Sequence, residues 1–241
     1  RIEWGKRGAR EAVKRGDVLI IVDVLSFSST VVSGLNKGAI IYPYPPHLDG
    51  KAFASEIEAE YILGRTEASK IGKPTLSPVS FHKKEHMNKR YVLTSLNGAY
   101  CTWIAGEVPA LLIGSLLNAS AVASIANNIM QETNSNITVV PCGERWSDVK
   151  EYDDALRPAV EDYLGAGAIL SYLPGKKSVE AEVCIGAFTA VKHRLNEMIW
   201  DCGSGRELRN RGFSEDVKHC SKLNYYENVP LLKKDHFISA F

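Results

Sequence analysis

VLIIVDVLSFSST, residues 18–30, is an apolar, β-branched run that stops at Asp23 and gives way to a hydroxyl-rich turn able to open a helix. Strand ends that feed helix N-termini are where α/β proteins place their chemistry. An acid at the strand tip suits a cation. Ser26, Ser28, Ser29 and Thr30, with the first N–H groups of the helix, suit an anion. A phosphorylated ligand accompanied by a divalent metal is the pairing this segment points to. The plainer reading is that Asp23 and the hydroxyls only cap the turn.

Outward from this segment the pattern repeats. Apolar runs recur at 39–44, 91–95, 110–115 and 137–142, and helix-compatible stretches lie at 29–39, 51–63 and 118–132. Strand and helix in alternation predict an α/β fold, a three-layer α/β/α arrangement with a largely parallel or mixed sheet. Beyond residue 150 the periodicity is helical, at 155–173, 178–199, 204–213 and 214–223, so a helical C-terminal third is expected over the sheet. The tail, 228–241, reads as two short strands about a Lys233-Lys234-Asp235 turn, placed to return to the sheet. No linker, low-complexity tract or repeat interrupts the 241 residues, and a single domain, 1–241, is expected.

The charge balance is 29 basic against 28 acidic residues, a net +1, which offers no global field for nucleic acid or an acidic membrane. Five scattered cysteines without a CxxC pair read as reduced thiols. No run approaches the roughly 18–20 apolar residues of a membrane span, and the first residues lack a signal-peptide core. A cytoplasmic protein with no membrane association is expected. The apolar helical C-terminal third leaves room for a homo-oligomer.

Three more turns resemble the first. In YVLTSLNGAY a strand runs into Asn97-Gly98, where the amide of Asn97 suits an anionic oxygen and the glycine lets backbone approach a ligand. In LLIGSLLNASAV a strand ends at Ser115, and Asn118 suits the N-cap of the next helix. The third stretch, 141–168, is the densest in charge. Glu144 and Arg145 follow a strand, and Pro158 fits the first turn of a helix, which puts Glu161 and Asp162 in its second turn. Asp23, Glu144 and one or other of Glu161 and Asp162 supply carboxylate oxygens of the kind Mg²⁺ prefers. Arg145 and Arg157 offer the paired N–H geometry that suits phosphate or sulfonate.

Asp148, Lys150, Glu151, Asp153 and Asp154 read as a solvated loop, and Gly165 and Gly167 as places where a helix lies close against the sheet. Ser204-Gly205-Arg206-Glu207 fits a capping box starting a helix at Ser204, with Arg206 near its positive end; Arg65 is a further anion candidate. The six histidines show no metal spacing and read as structural or exposed. Cys142, a candidate nucleophile, is more simply a small buried residue.

Taken in order, DVLSFSST, SLNGA, GSLLNASAV, CGER through LRPAVEDYLGAGA, and SGRELRNRGFSEDVKHCSKLNYYENVP resemble the 2-phosphosulfolactate phosphatase (ComB-type) family from about Asp17 to Leu232. The resemblance implies Mg²⁺-dependent hydrolysis of a small phosphorylated substrate, 2-phosphosulfolactate, to sulfolactate and phosphate, a step of coenzyme M biosynthesis. It matches Asp23 to the family's strand-end acid, Asn97 and Gly98 to its Asn-Gly turn, and Ser115 and Asn118 to its GS–LLNA segment. Glu161 and Asp162 match its acidic pair, and Ser204 and Arg206 its C-terminal Ser and Arg. One departure stands out: the family commonly has arginine directly after DVL, where this chain has Ser26. That missing charge keeps open an alternative, a non-catalytic phosphometabolite-binding protein on the same scaffold.

Overall fold

The computed structural model describes residues 1–63, 65, 73–82, 86–106, 108–146 and 155–240. The acidic loop residues Asp148, Lys150, Glu151, Asp153 and Asp154 therefore lie outside the described residues.

Val18–Val22 forms β1, buried throughout. Its Leu19 and Ile21 enter one core and Val18, Ile20 and Val22 the other, which is why the run is apolar without alternation. Parallel neighbours flank it, β5 (Leu111–Gly114) on one side and β6 (Ile137–Pro141) on the other. A second parallel set consists of β2 (Ile40–Tyr44), β4 (Arg90–Thr94) and the two-residue β3 (Glu60–Tyr61). Between the sets lies the C-terminal hairpin, β9 (Pro230–Lys233) and β10 (His236–Ser239), antiparallel to β5 and β2 respectively. The sheet order is β3-β4-β2-β10-β9-β5-β1-β6, an eight-stranded, mostly parallel mixed sheet. The tail thus returns to the middle of the sheet, through a turn in which Lys234 takes a left-handed φ of 61°.

One face is covered by α1 (Gly5–Arg15), α2 (Phe27–Leu35) and α4 (Gly98–Ile104), which bury Ala9, Ala12, Phe27, Val31 and Ala99. The helix α3 (Gly50–Glu56) packs Ala54 by Tyr42 and Val92. The other face carries α5 (Ala119–Thr133) and α6 (Val160–Tyr172). Beyond them lie α7 (Val179–Val191), α8 (Leu195–Asp201), α9 (Gly203–Asn210) and α10 (Ser214–Cys220), joined to the same core through Phe188, Ile199, Leu208 and Val217. No helix among the described residues is long and apolar enough to cross a membrane.

Four elements differ from expectation. The helix anticipated over 51–63 stops at Glu56; Glu58 adopts a left-handed φ of 53° and the chain then adds the edge strand β3. The helix anticipated over 178–199 is divided by a tight 3₁₀ turn at Lys192–Arg194. Of the two glycines, Gly165 does face the sheet, where a Cβ would sit 2.7 Å from Val24, but Gly167 faces α7, where it would sit 2.5 Å from the carbonyl of Cys184. Finally, α1 was not anticipated. Its signals are present in Ala9 and Ala12 on one buried face, basic residues in the last turn, and Gly16 closing it at φ 67°.

Candidate active site

Asp23 stands immediately beyond β1, and its buried carboxylate joins two turns. Oδ1 accepts the N–H of Phe27 at 3.1 Å; Oδ2 accepts the N–H of Gly98 at 3.0 Å and the hydroxyl of Ser95 at 3.5 Å. The turn after β1 is thereby tied to the turn after β4. Position 98 has to be glycine for this approach, because a Cβ there would lie 2.3 Å from the Phe27 ring and 2.8 Å from Asp23 Oδ2. Burial pushes Asp23 up to about 6, with the charge of Glu161 adding and the two N–H bonds and Arg65 opposing.

Glu144 follows Gly143, whose φ of 67° swings the chain from β6 into the short β7 (Glu144–Arg145), paired with β8 (Leu156–Arg157). Its Oε2 accepts the side-chain N–H of Asn97 at 3.1 Å. Burial lifts Glu144 to about 7, and the charges of Asp23 and Glu161 act in the same sense. Glu161, 2% exposed, opens α6, which starts at Val160; the acidic pair is therefore in the first turn, and Pro158 precedes the helix. The charge of Glu161 thus acts on both Asp23 and Glu144 at the carboxyl edge of the sheet, and that of Asp23 acts on Glu144.

The neighbouring Asp162 is committed to the backbone. Oδ1 accepts the N–H of Val24 at 2.7 Å and Oδ2 that of Gly143 at 2.9 Å, so it clasps the ends of β1 and β6 together. Burial, with Asp23 and Glu161 nearby, raises it well above the usual carboxylate range. The expected ligand set of Asp23, Glu161 and Asp162 is not drawn into one cluster: among the described residues no group of three or more His, Cys, Asp or Glu side chains is arranged to hold a metal. Mg²⁺ commonly takes only one or two carboxylates, filling its shell with water and substrate oxygens, and the buried acids Asp23 and Glu161 fit that smaller donor set.

A cleft of about 350 Å³ opens beside these acids, lined among others by Asp23, Ser26, Arg65, Asn97, Glu144 and Ser204. Arg65 donates from Nη2 to the Ser26 hydroxyl and from Nε to Asp216 Oδ2 at 3.4 Å. Asp216 in turn accepts the Ser77 hydroxyl at 2.5 Å. Burial lowers the pKa of Arg65 while Asp216 opposes the shift. Arg65 thus brings a guanidinium against the Ser26 side chain. Arg211, which sequence reasoning did not single out, lines the same cleft, as does Glu207. Arg211 and Asp216 carry no local motif, and Glu207 stood out only as the last residue of the capping-box pattern; each reaches the site through the packing of α9 and α10.

Several expected ligands point elsewhere. Ser28 accepts the N–H of Asp23 at 2.9 Å, Ser29 donates to the carbonyl of Val24 at 2.8 Å, and both are fully buried with Thr30. The Ser28 and Ser29 hydroxyls fasten the turn inward. Ser115 accepts the N–H of Leu117 at 3.2 Å, while Asn118 accepts that of Ser115 and donates to the carbonyls of Ile113 and Asn228. That pair locks β5 to its helix and to the segment before β9, which is a structural task. Arg206 is exposed and donates to the carbonyl of Asp201. The capping-box reading was displaced by two residues, since Cys202 is the N-cap and its sulfur accepts the N–H of Gly205 at 3.3 Å; Ser204 faces the cleft from inside the helix. Arg157 pairs with Glu207 at 3.2 Å at the rim, and Arg145 lines a separate cavity. Burial raises Cys142 well above the ordinary thiol range, as befits a core residue. Among the histidines, His219 is buried against Ser33 and His86 against the Tyr91 hydroxyl.

A family model described as 2-phosphosulpholactate phosphatase matches residues 6–235. The chain belongs to the 2-phosphosulfolactate phosphatase family. It is therefore of a family of phosphoric monoester hydrolases. It is 27% identical over 233 residues to the 2-phosphosulfolactate phosphatase of Methanocaldococcus jannaschii, covering 92% of each chain. Against the enzyme of that name from Methanothermobacter thermautotrophicus the figure is 28% over 217 residues, 89% of this chain and 86% of the relative. A probable 2-phosphosulfolactate phosphatase of Carboxydothermus hydrogenoformans is 26% identical over 215 residues, 88% and 84% respectively.

Proposed function

We propose that this member of the family is a Mg²⁺-dependent phosphatase acting on 2-phosphosulfolactate, releasing sulfolactate and phosphate within coenzyme M biosynthesis. The observation that carries the reading is one cleft lined by Asp23, Glu144 and Arg65, with the charge of the buried Glu161 raising both of those acids. Asp23 and Glu161 would hold Mg²⁺, which when bound polarises phosphoryl oxygens. Arg65, with Arg211 at the rim, offsets charge on the transferring phosphoryl group. Glu144, poised near 7, takes a proton from the attacking water as the phosphorus–oxygen bond to the substrate breaks, and the departing alkoxide takes up a proton from solvent water to leave as sulfolactate. Asn97 fixes that carboxylate through its 3.1 Å hydrogen bond.

The ground for a purely binding role was the missing arginine at position 26, and Arg65 offsets it. Release of inorganic phosphate from a panel of phosphorylated hydroxy acids including 2-phosphosulfolactate, with and without Mg²⁺, tests the proposal. Metal-dependent release that is lost in Asp23→Asn supports it; no release from any member of the panel overturns it.

A further inference from the structure

The helix α7, VEAEVCIGAFTAV, is polar only at Glu180, Glu182 and Thr189, although it lies on the outside of the molecule. Its inner face, Ala181, Cys184 and Phe188, is buried, and the carbonyl of Cys184 approaches α6 at Gly167. The opposite face, at the spacing i, i+4, i+7, i+11, carries Val179, Val183, Gly186 and Ala190. Val179 is 72% exposed and Val183 61%, the two most exposed large apolar side chains among the described residues. A helix apolar on both faces belongs in an interior, so this face lacks its cover. Gly186 sharpens the point. Glycine weakens a helix, and at Gly165 and Gly167 the close approach of neighbouring chain offsets that cost. A Cβ at Gly186 would meet no described atom within 4 Å, so the flat spot it leaves serves only a surface arriving from outside.

The charges identify that surface. Glu180 and Glu182 stand in the first turn, and Lys192, His193 and Arg194 follow the last, all of them exposed. Neither Glu182 nor Arg194 has an ion-pair partner among the described residues. A helix that is acidic at its start and basic at its end is complementary to an antiparallel copy of itself. A two-fold axis passing by Gly186 lays Val183 against Ala190 and sets each acidic end beside the basic end of the other copy. We infer that the outer face of α7 is a homodimer interface, in which two copies of the helix pack antiparallel about Gly186 with Glu182 facing Lys192 and Arg194 of the second copy. No residue of α7 lines the cleft beside Asp23, so the inference stands apart from the phosphatase reading. One helix pair is a small contact, which sets the expected dissociation constant in the micromolar range.

Sedimentation of the full chain over about 1–100 µM brackets that range. The mass should rise with concentration from 26.5 kDa toward twice that value. Val183→Glu and Gly186→Leu should each weaken the dimer by about 30-fold or more, the loss that goes with a residue at the centre of an interface. Gly186→Leu favours the helix itself while blocking the approach, and far-UV circular dichroism confirms that both variants are folded. At low salt, Glu182→Lys should weaken association by about 10-fold, as should Lys192→Glu combined with Arg194→Glu, and an equimolar mixture of these two proteins should recover it. A chain that stays at 26.5 kDa throughout leaves the face to a different partner and overturns the inference. A dimer indifferent to Val183→Glu and Gly186→Leu, or a mixture that recovers nothing, overturns it equally.

Discussion

The guanidinium of Arg65 donates to the hydroxyl of Ser26, 39 residues away, while its Nε meets Asp216. A serine at the position where the family resemblance leads one to expect arginine is thus joined to a cation brought in from elsewhere in the chain. The Arg65 side chain is 9% exposed and Asp216 1%, so the pair is held nearly dry at the edge of the cleft. Arginine suits this place because its planar fork serves the serine and the carboxylate at once, and lysine lacks that geometry. Arg65→Lys is expected to raise KM for the phosphorylated substrate by about 10- to 100-fold with a smaller change in melting temperature. Arg65→Ala strands a buried carboxylate and should cost roughly 3–5 kcal/mol of stability in denaturant unfolding. Adding Ser26→Arg to Arg65→Ala should recover part of the lost KM; steady-state kinetics of the double variant showing no recovery would sink the idea that the two positions serve one function.

Gly98 is where the close approach of two turns is most exposed to substitution. Gly98→Ala would drive a methyl group into the fully buried Phe27 ring and the oxygen of Asp23. Neither neighbour can retreat freely, because Phe27 packs edge-on to Phe237 in the core and Asp23 is fixed by two N–H bonds. A loss of about 1–3 kcal/mol is expected, the usual cost of overpacking, together with loss of activity. Thermal unfolding checks the first and phosphate release the second; a variant with unchanged melting would contradict the geometry.

The legibility of this molecule in its sequence divides along physical lines. β1 and its neighbours were readable because strands buried on both faces need uninterrupted apolar runs, and Asp23 was readable because it ends one. Asn97 and Gly98 stood out as a turn whose glycine has a steric reason. Arg65 gave almost no local signal, since its role comes from Ser26 and from Asp216, 151 residues away. The hydroxyls of Ser28, Ser29, Ser115 and the amide of Asn118 misled for a common reason. A residue suited to bind an oxyanion is equally suited to satisfy backbone groups, and in a buried turn the backbone claims it. Helix α1 is hard to read from sequence because only its Ala9 and Ala12 face and its Gly16 stop signal it, with no acidic residue in the first turn and no side-chain cap.

Glu144 makes stability depend on pH. Its carboxyl is raised to about 7 in the folded protein from 4.5, so between these values the folded state binds a proton that the unfolded state has lost. Stability from this group is fully present below 4.5 and is lost as pH rises through 7. The loss is at most ~3 kcal/mol, and less because the residue keeps some contact with solvent. Glu144→Gln retains an acceptor for Asn97 but cannot ionise. Urea unfolding of the metal-free protein at about pH 5 and pH 8 should show a smaller difference for the variant than for the parent. An identical pH dependence in both would place the titrating group elsewhere. Phosphatase activity of the variant should fall sharply, since the proposed proton acceptor is gone.

Asp162 separates a holding role from a catalytic one within the acidic pair. Both its oxygens accept backbone N–H groups, from Val24 beside Asp23 and from Gly143 beside Glu144, so it sets the spacing of the two strand ends next to those carboxyls. Asp162→Ala leaves both N–H groups buried without their acceptor, at about 1–3 kcal/mol each. Glu161→Gln, by contrast, removes a charge that raises Asp23, Glu144 and Asp162. It should leave the backbone clasp intact. The expected pattern is a large fall in unfolding midpoint for Asp162→Ala, and for Glu161→Gln a retained or raised midpoint with weakened Mg²⁺ dependence of phosphate release. If the two variants exchange these signatures, the division of labour between the adjacent acids is the reverse of the one their hydrogen bonds describe.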